Sequence, residues 1–79
     1  MSFDTFVDIR KIEMTLDAII LKKGQTPVTD LETRRTLNND FEILVRLLPI
    51  FEKKFHDENP NLRQRNNSRN FANQFRQIQ

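Results

Sequence analysis

Residues 21–32, LKKGQTPVTDLE, contain both a helix stop and a helix start, and they decide the fold of this chain. Lys22 and Lys23 suit the negative end of a helix dipole. Gly24 is the only glycine in the chain, and it suits the left-handed position that follows many helices. These three residues predict that a first helix ends near residue 23.

The second half of the same stretch predicts where the next helix begins. Thr29 and Glu32, three residues apart, have the pattern of a capping box. Asp30 adds a favourable negative charge to the first turn. We therefore predict helices over about 3–23 and 30–56, joined by a short loop, which is typical of an antiparallel helical hairpin.

The segment before the loop has helical periodicity on two faces. Ser2 precedes a run without glycine or proline, which favours Ser2 as the N-cap. At 100° per residue, one broad apolar stripe, interrupted near its edge by Glu13, consists of Phe6, Ile9, Ile12, Leu16, Ile19 and Ile20. A second stripe consists of Phe3, Val7, Met14 and Leu21. Two apolar faces predict two packing neighbours.

The second helix also has two apolar faces. Its main stripe consists of Leu31, Leu37, Phe41, Leu44, Val45, Leu48, Phe51 and Phe55, and its adjoining face of Ile43, Leu47 and Ile50. Pro49 lies inside this pattern, where it removes a backbone donor and crowds the carbonyl of Val45. We expect a kink near Leu48 in one continuous helix. Asn59 ends the helix because the residue before a proline is steered out of helical conformation.

The composition changes after Glu58. Residues 1–58 hold nine basic and eleven acidic residues, net −2, whereas residues 59–79 hold four arginines and no acid, net +4. This basic, Asn/Gln/Arg-rich segment carries an apolar triad at i, i+4 and i+7, namely Phe71, Phe75 and Ile78. The triad predicts a short amphipathic helix over about 68–78.

Length and composition limit the functions that remain. A core built from 79 residues contributes only a few kcal/mol of net stability, so such chains often depend on a disulfide, a metal or a partner chain. The chain has no cysteine and a single histidine, His56, so we predict neither a disulfide, nor a metal site, nor a cofactor. A partner chain is left. We expect either that two hairpins complete a four-helix bundle by dimerisation, or that a third helix folds back on the pair.

The sequence also argues against catalysis and against a membrane span. It has no cysteine nucleophile, no glycine-rich phosphate loop and no HExxH or GxSxG motif. Glu52, Asp57 and Glu58 lie near His56, but basic residues that balance the helix dipole explain this helix end without a reaction. The longest apolar run, residues 18–21, is far too short to cross a bilayer, and no targeting segment is recognisable. We predict a cytoplasmic, non-enzymatic protein.

Two functions stay open. The first is a small adaptor or regulator that presents an apolar helical surface to a protein partner and self-associates. Its candidate contact residues are Phe71, Phe75, Ile78, Val7, Met14, Ile43, Leu47 and Ile50. Helical spacing in the C-terminal triad favours this function, because aromatic residues that stack on bases have no reason to keep that spacing.

The alternative function is a regulator that binds nucleic acid. Its candidate residues are Arg63, Arg65, Arg69 and Arg76 of the C-terminal segment, with Arg34 and Arg35 at the start of the second helix. Several acidic residues near Arg34 and Arg35 argue against phosphate binding there. The salt dependence of binding separates the two functions, since phosphate contacts release counterions and apolar docking does not.

Overall fold

The computed structural model describes residues 3–78, which form an all-α fold of three helices. Helix α1 spans Phe3–Gln25, α2 spans Leu31–Glu58 and α3 spans Ser68–Gln77. No strand occurs within the described range, and the all-α prediction is confirmed. The predicted N-cap at Ser2 and the side chain of Phe3 lie outside the described residues.

The left-handed conformation predicted for Gly24 is wrong, and α1 ends two residues later than predicted. The helix continues through Gly24 to Gln25, and this glycine does not adopt a left-handed backbone. Thr26 explains the later end, because its backbone N–H donates to the carbonyl of Lys23 and its hydroxyl donates to the carbonyl of Lys22. Those bonds satisfy carbonyl groups that a helix C-terminus leaves without partners.

The predicted start of α2 is also displaced by one residue. Asp30, rather than Thr29, is the N-cap, and its side chain accepts a hydrogen bond from the backbone N–H of Thr33 at 3.2 Å. Hydrogen bonding by Thr33 lowers the pKa of Asp30. A turn places Asp30 there, since its own N–H donates to the carbonyl of Pro27. Leu31, the first residue of α2, is exposed, contrary to its predicted place in the main stripe; at 100° per residue it lies about 120° from the buried Leu37.

The remaining boundaries agree with the predictions to within two residues. Helix α2 runs through Pro49 and ends at Glu58, where the backbone and side chain of Asn59 cap the carbonyl of Phe55. Helix α3 ends one residue before Ile78, whose backbone is extended.

The core lies between the main stripes of α1 and α2 and is closed by α3. Its buried residues are Ile9, Ile12, Leu16, Ile19, Leu37, Phe41, Leu48, Phe55 and Phe71. Phe6, near the start of α1, packs on Phe55, near the end of α2, with ring centroids 5.8 Å apart. Arg34, near the start of α2, donates to the carbonyl of Thr26. The ring contact thus joins the N-terminal part of α1 to the C-terminal part of α2.

Candidate functional site

The C-terminal segment packs on its own chain. Phe71 is 9% exposed and belongs to the core. The ring of Phe75 stacks on that of Phe41, with centroids 4.0 Å apart and planes 7° apart. Ile78, the third member of the triad, is half-buried. The stripe that the sequence predicts to bind a partner thus covers the core of this chain.

Lys23 holds the last turn of α3. Its Nζ donates to the carbonyl oxygen of Phe75 at 2.7 Å and lies 3.8 Å from the centroid of the Phe75 ring. Carbonyl groups in the last turn of a helix lack intrahelical partners, and a cation is favourable there. Burial lowers the pKa of Lys23, and the nearby positive charge of Arg34 lowers it further.

A buried polar cluster, which we name the carboxylate clasp, holds the other end of α3. It consists of Glu13 on α1, Glu52 on α2 and Asn67, the N-cap of α3. The side-chain amide of Asn67 donates to Glu13 Oε2 at 2.8 Å, and the backbone N–H of Asn67 donates to Glu52 Oε2 at 3.0 Å. The two glutamates are only 3% and 2% exposed. The side chain of Asn67 makes no capping bond to α3, whereas its backbone carbonyl accepts a hydrogen bond from the N–H of Phe71 at 3.2 Å.

Two arginines supply positive charge to the clasp. Arg10 Nη1 lies 2.6 Å from Glu13 Oε1, and Arg65 Nη2 lies 3.7 Å from the same oxygen. The guanidinium of Arg65 also lies 5.6 Å from the centroid of the Phe6 ring. These contacts offset part of the cost of burying carboxylates.

The two carboxylates of the clasp nevertheless differ in the charge of their direct partners. Glu13 has two direct cationic partners, both at Oε1, whereas Glu52 accepts its hydrogen bond from the neutral backbone N–H of Asn67. Burial raises the pKa of Glu52, and the negative charge of Glu13 raises it further, against the opposing effects of the Asn67 hydrogen bond and Arg65. The protonated form of Glu52 is therefore favoured by folding relative to the unfolded chain.

The clasp is absent from the sequence-based predictions, in which Glu13 only interrupts the edge of a stripe. A usable pattern exists: Glu52 follows Leu48 by four residues and precedes Phe55 by three, so it occupies a core-facing position. Two acids on core-facing positions need hydrogen-bond donors. The acid-free segment 59–79 supplies Asn67 and Arg65, and α1 supplies Arg10.

The adjoining face of α2 is exposed. We name Ile43, Leu47 and Ile50 the α2 stripe; their side chains are 60%, 37% and 63% exposed. The spacing i, i+4, i+7 aligns them along one side of the helix. At 100° per residue, Ile43 and Ile50 lie about 160–180° from the buried Phe41, so they point away from the core that α3 closes.

Ile43 belongs to two adjacent surface depressions. One, of about 250 Å³, is lined by Glu42, Ile43, Arg46, Leu47 and Ile50. The other, of about 300 Å³, brings Thr15 and Ile19 of α1 together with Asp40, Ile43 and Leu44 of α2. Both lie at or below the lower end of the range for small-molecule sites, about 300–1,000 Å³. Depressions of this size suit side chains that project from another helix.

The two candidate residues on α1 form a less continuous surface. Val7 and Met14 are exposed, as is Leu21. Each of these is seven positions, about two helical turns, from the next, and the polar residues Arg10, Lys11 and Asp17 lie between them on that side. The structure does not bring them together with the C-terminal triad, which is turned inward.

The six candidate arginines fall into two groups. Arg65 is half-buried in the clasp, and Arg34 is half-buried and bonded to the carbonyl of Thr26. Arg35, Arg63, Arg69 and Arg76 are exposed. Arg69 and Arg76 share a depression of about 650 Å³ that is lined by Val45, Asn66, Ser68, Arg69, Ala72, Asn73 and Arg76, without an acidic residue.

Three groups of the possible acid/base set around His56 make contacts outside the set. His56 Nδ1 lies 3.1 Å from the carbonyl oxygen of Leu62. Glu52 is turned into the clasp, and Asp57 lies 3.6 Å from the ammonium of Lys53. Each of these groups is thus held by a structural contact.

None of the helices in residues 3–78 combines the length and the apolar character that a bilayer-spanning segment requires. Comparison of the chain with protein-family models, with curated proteins and with solved structures finds no match.

Proposed function

We propose that this chain is a small non-enzymatic protein-interaction module, an adaptor or regulator, that presents the α2 stripe to another protein chain and self-associates through it. In this proposal α1 and α2 form a hairpin, a bend at Pro49 shapes the exposed face, and dimerisation completes a bundle. The cysteine-free composition favours a reducing cytoplasmic setting.

One observation carries the proposal: a continuous apolar stripe remains exposed on α2 after α3 has closed the core. Among the described residues, α2 packs on α1 and on α3, and the side of α2 opposite Phe41 carries the exposed Ile43 and Ile50. An exposed apolar surface rimmed by charged residues is typical of a protein interface.

The chain offers a matched control for testing the stripe. Val28 and Leu31 are 62% and 68% exposed, much like Ile43 and Ile50, but they lie at the α1–α2 loop. We would compare the double variants Ile43→Ser/Ile50→Ser and Val28→Ser/Leu31→Ser by sedimentation velocity over a concentration series. Circular dichroism checks that both remain helical.

The proposal predicts that the wild type and the loop variant self-associate at micromolar concentration, whereas the stripe variant stays monomeric. Loss of two exposed isoleucines from an interface weakens association by at least tenfold if each contributes about 1 kcal/mol. Equal association of the two variants, or a wild type that remains monomeric at high concentration, would contradict the proposal.

The second candidate function, binding of nucleic acid, is favoured by the acid-free depression beside α3. Arg69, Asn73 and Arg76 are spaced i, i+4, i+7, so their side chains follow one side of the helix. Guanidinium groups pair with phosphates, and side-chain amides hydrogen-bond sugars and base edges. In this candidate the same helix uses its inner face for the core and its outer face for the ligand.

Fluorescence anisotropy with generic single-stranded RNA and DNA at several salt concentrations tests this candidate. Arg69→Gln/Arg76→Gln should make the slope of log K against log salt shallower by about one unit for each phosphate that the variant no longer neutralises. The control is Lys11→Gln/Arg46→Gln, which removes the same charge from exposed positions elsewhere. Equal effects of the two pairs would reject a specific site on α3.

A further inference from the structure

We infer that the partner of the α2 stripe is the α2 stripe of a second copy of this chain, packed antiparallel about a two-fold axis at Leu47. This inference rests on the proposed function and specifies its geometry. Its basis is the charge pattern at the two ends of the stripe.

The stripe extends at both ends into a longer seam with a coiled-coil repeat. Asp40, Ile43, Leu47, Ile50 and Lys54 follow one another at intervals of three, four, three and four residues. That alternation keeps side chains on one line along the helix, facing a partner helix. Both Asp40 and Lys54 are exposed, and within residues 3–78 neither has an ion-pair partner.

The two ends of the seam, Asp40 and Lys54, are symmetric in position about Leu47 and opposite in charge, whereas Ile43 lies four residues before Leu47 and Ile50 three residues after it. Asp40 lies seven residues before Leu47 and Lys54 lies seven residues after it. An antiparallel partner centred on Leu47 therefore places each Asp40 opposite the partner copy's lysine, twice per dimer. A parallel partner would instead place Asp40 opposite Asp40 and Lys54 opposite Lys54, which like charges disfavour.

Glu42 and Lys53, two charged residues beside the seam, have the same polarity, whereas Arg46 has the opposite one. Glu42, which bonds Arg46 within its own helix, lies on the acidic side of Leu47. Lys53 lies on the basic side. Asp57 and Glu58, ten and eleven residues beyond Leu47, would fall opposite Leu37 and Thr36, so they add no like-charge contact.

Cysteine crosslinking tests the orientation directly, because the natural chain contains no cysteine. The variants are Asp40→Cys and Lys54→Cys in the full chain, oxidised separately and as an equal mixture. Fourteen residues of helix separate the two positions by about 21 Å, far more than the roughly 4.4–6.8 Å that generally separates the Cα atoms of a disulfide. The antiparallel dimer predicts crosslinked product in the mixture and little in either variant alone.

Charge reversal provides an independent readout by sedimentation. Asp40→Lys alone and Lys54→Asp alone should each weaken self-association by about three- to tenfold, because each creates two like-charge contacts. The double variant Asp40→Lys/Lys54→Asp restores opposite charges in the antiparallel dimer and should recover wild-type association.

The outcomes separate failure of this inference from failure of the proposed function. Crosslinking of Asp40→Cys alone, as strong as in the mixture, would indicate a parallel dimer and overturn the inference. A wild-type dimer that the Ile43→Ser/Ile50→Ser change disrupts, but that gives no crosslinks in the mixture, would also overturn it while leaving the proposed function in place. A monomeric wild type would remove both.

Discussion

Replacing Phe71 by alanine should detach α3 from the rest of the molecule. Phe71 is the buried residue of α3 and is 9% exposed. Truncating a buried phenylalanine to alanine costs about 3–5 kcal/mol, and a chain under about 80 residues has a net stability of roughly that size. We therefore expect Phe71→Ala to lose most of its folding free energy.

The matched control is Gln74→Ala, an exposed position in the same helix. Alanine has the highest helix propensity, so neither substitution weakens α3 through its backbone. Urea denaturation, followed by circular dichroism at equal and low protein concentration, measures the difference in unfolding free energy between the two variants without a contribution from self-association. If the midpoints of Phe71→Ala and Gln74→Ala differ by no more than experimental error, α3 does not close the core and the three-helix packing is incorrect.

Three further changes test the clasp and the interior proline. Asn67→Ala removes the amide that bonds Glu13, and it should destabilise the chain by about 1–3 kcal/mol in urea denaturation, whereas Asn66→Ala, outside the clasp, should change little. Burial raises the pKa of Glu52 in the folded chain. The stability that the protonated carboxyl of Glu52 contributes is therefore fully present below the pKa of an unfolded glutamate, and it is lost as the pH rises through the raised pKa of the folded chain. At neutral pH, Glu52→Gln should thus be as stable as the wild type or more stable, and the difference in unfolding free energy between the two should shrink in acid. A variant that is less stable than the wild type at neutral pH and equally stable in acid would contradict the raised pKa of Glu52. Pro49→Ala should keep the helical content and leave stability unchanged or raised, as interior proline costs about 3 kcal/mol relative to alanine; a fall in circular dichroism would show that Pro49 is needed to start a helical segment.

Periodicity predicts most of the core. Ile9, Leu16 and Ile19 of α1 are buried as their stripe predicts, and so are Phe41 and Leu48 of α2. This succeeds because a helix that packs on neighbours must repeat apolar residues close to every 3.6 positions. Helix ends are less predictable, since Gly24 and Thr29 both fit capping patterns that the neighbouring Thr26 and Asp30 satisfy instead.

The candidate site is only partly predictable because several apolar surfaces compete for one neighbour. The sequence contains three apolar surfaces that could bind a partner: the second stripe of α1, the α2 stripe and the C-terminal triad. Periodicity predicts which side of each helix is apolar, but not which apolar sides pack together, because that depends on the path of the chain after Glu58. The clasp fixes this path through the side-chain amide of Asn67. Asn67 belongs to no apolar pattern, so periodicity cannot identify it.

Isotope-filtered nuclear Overhauser spectroscopy on a mixture of labelled and unlabelled chains tests self-association through the α2 stripe most directly. The method detects only contacts between protons of different copies. We predict intermolecular signals that join the methyl groups of Ile43 to those of Ile50 and connect Leu47 to Leu47, with none from Val7 or Met14. Intermolecular signals confined to α1, or no intermolecular signal at concentrations where sedimentation shows a dimer-sized species, would contradict self-association through this stripe.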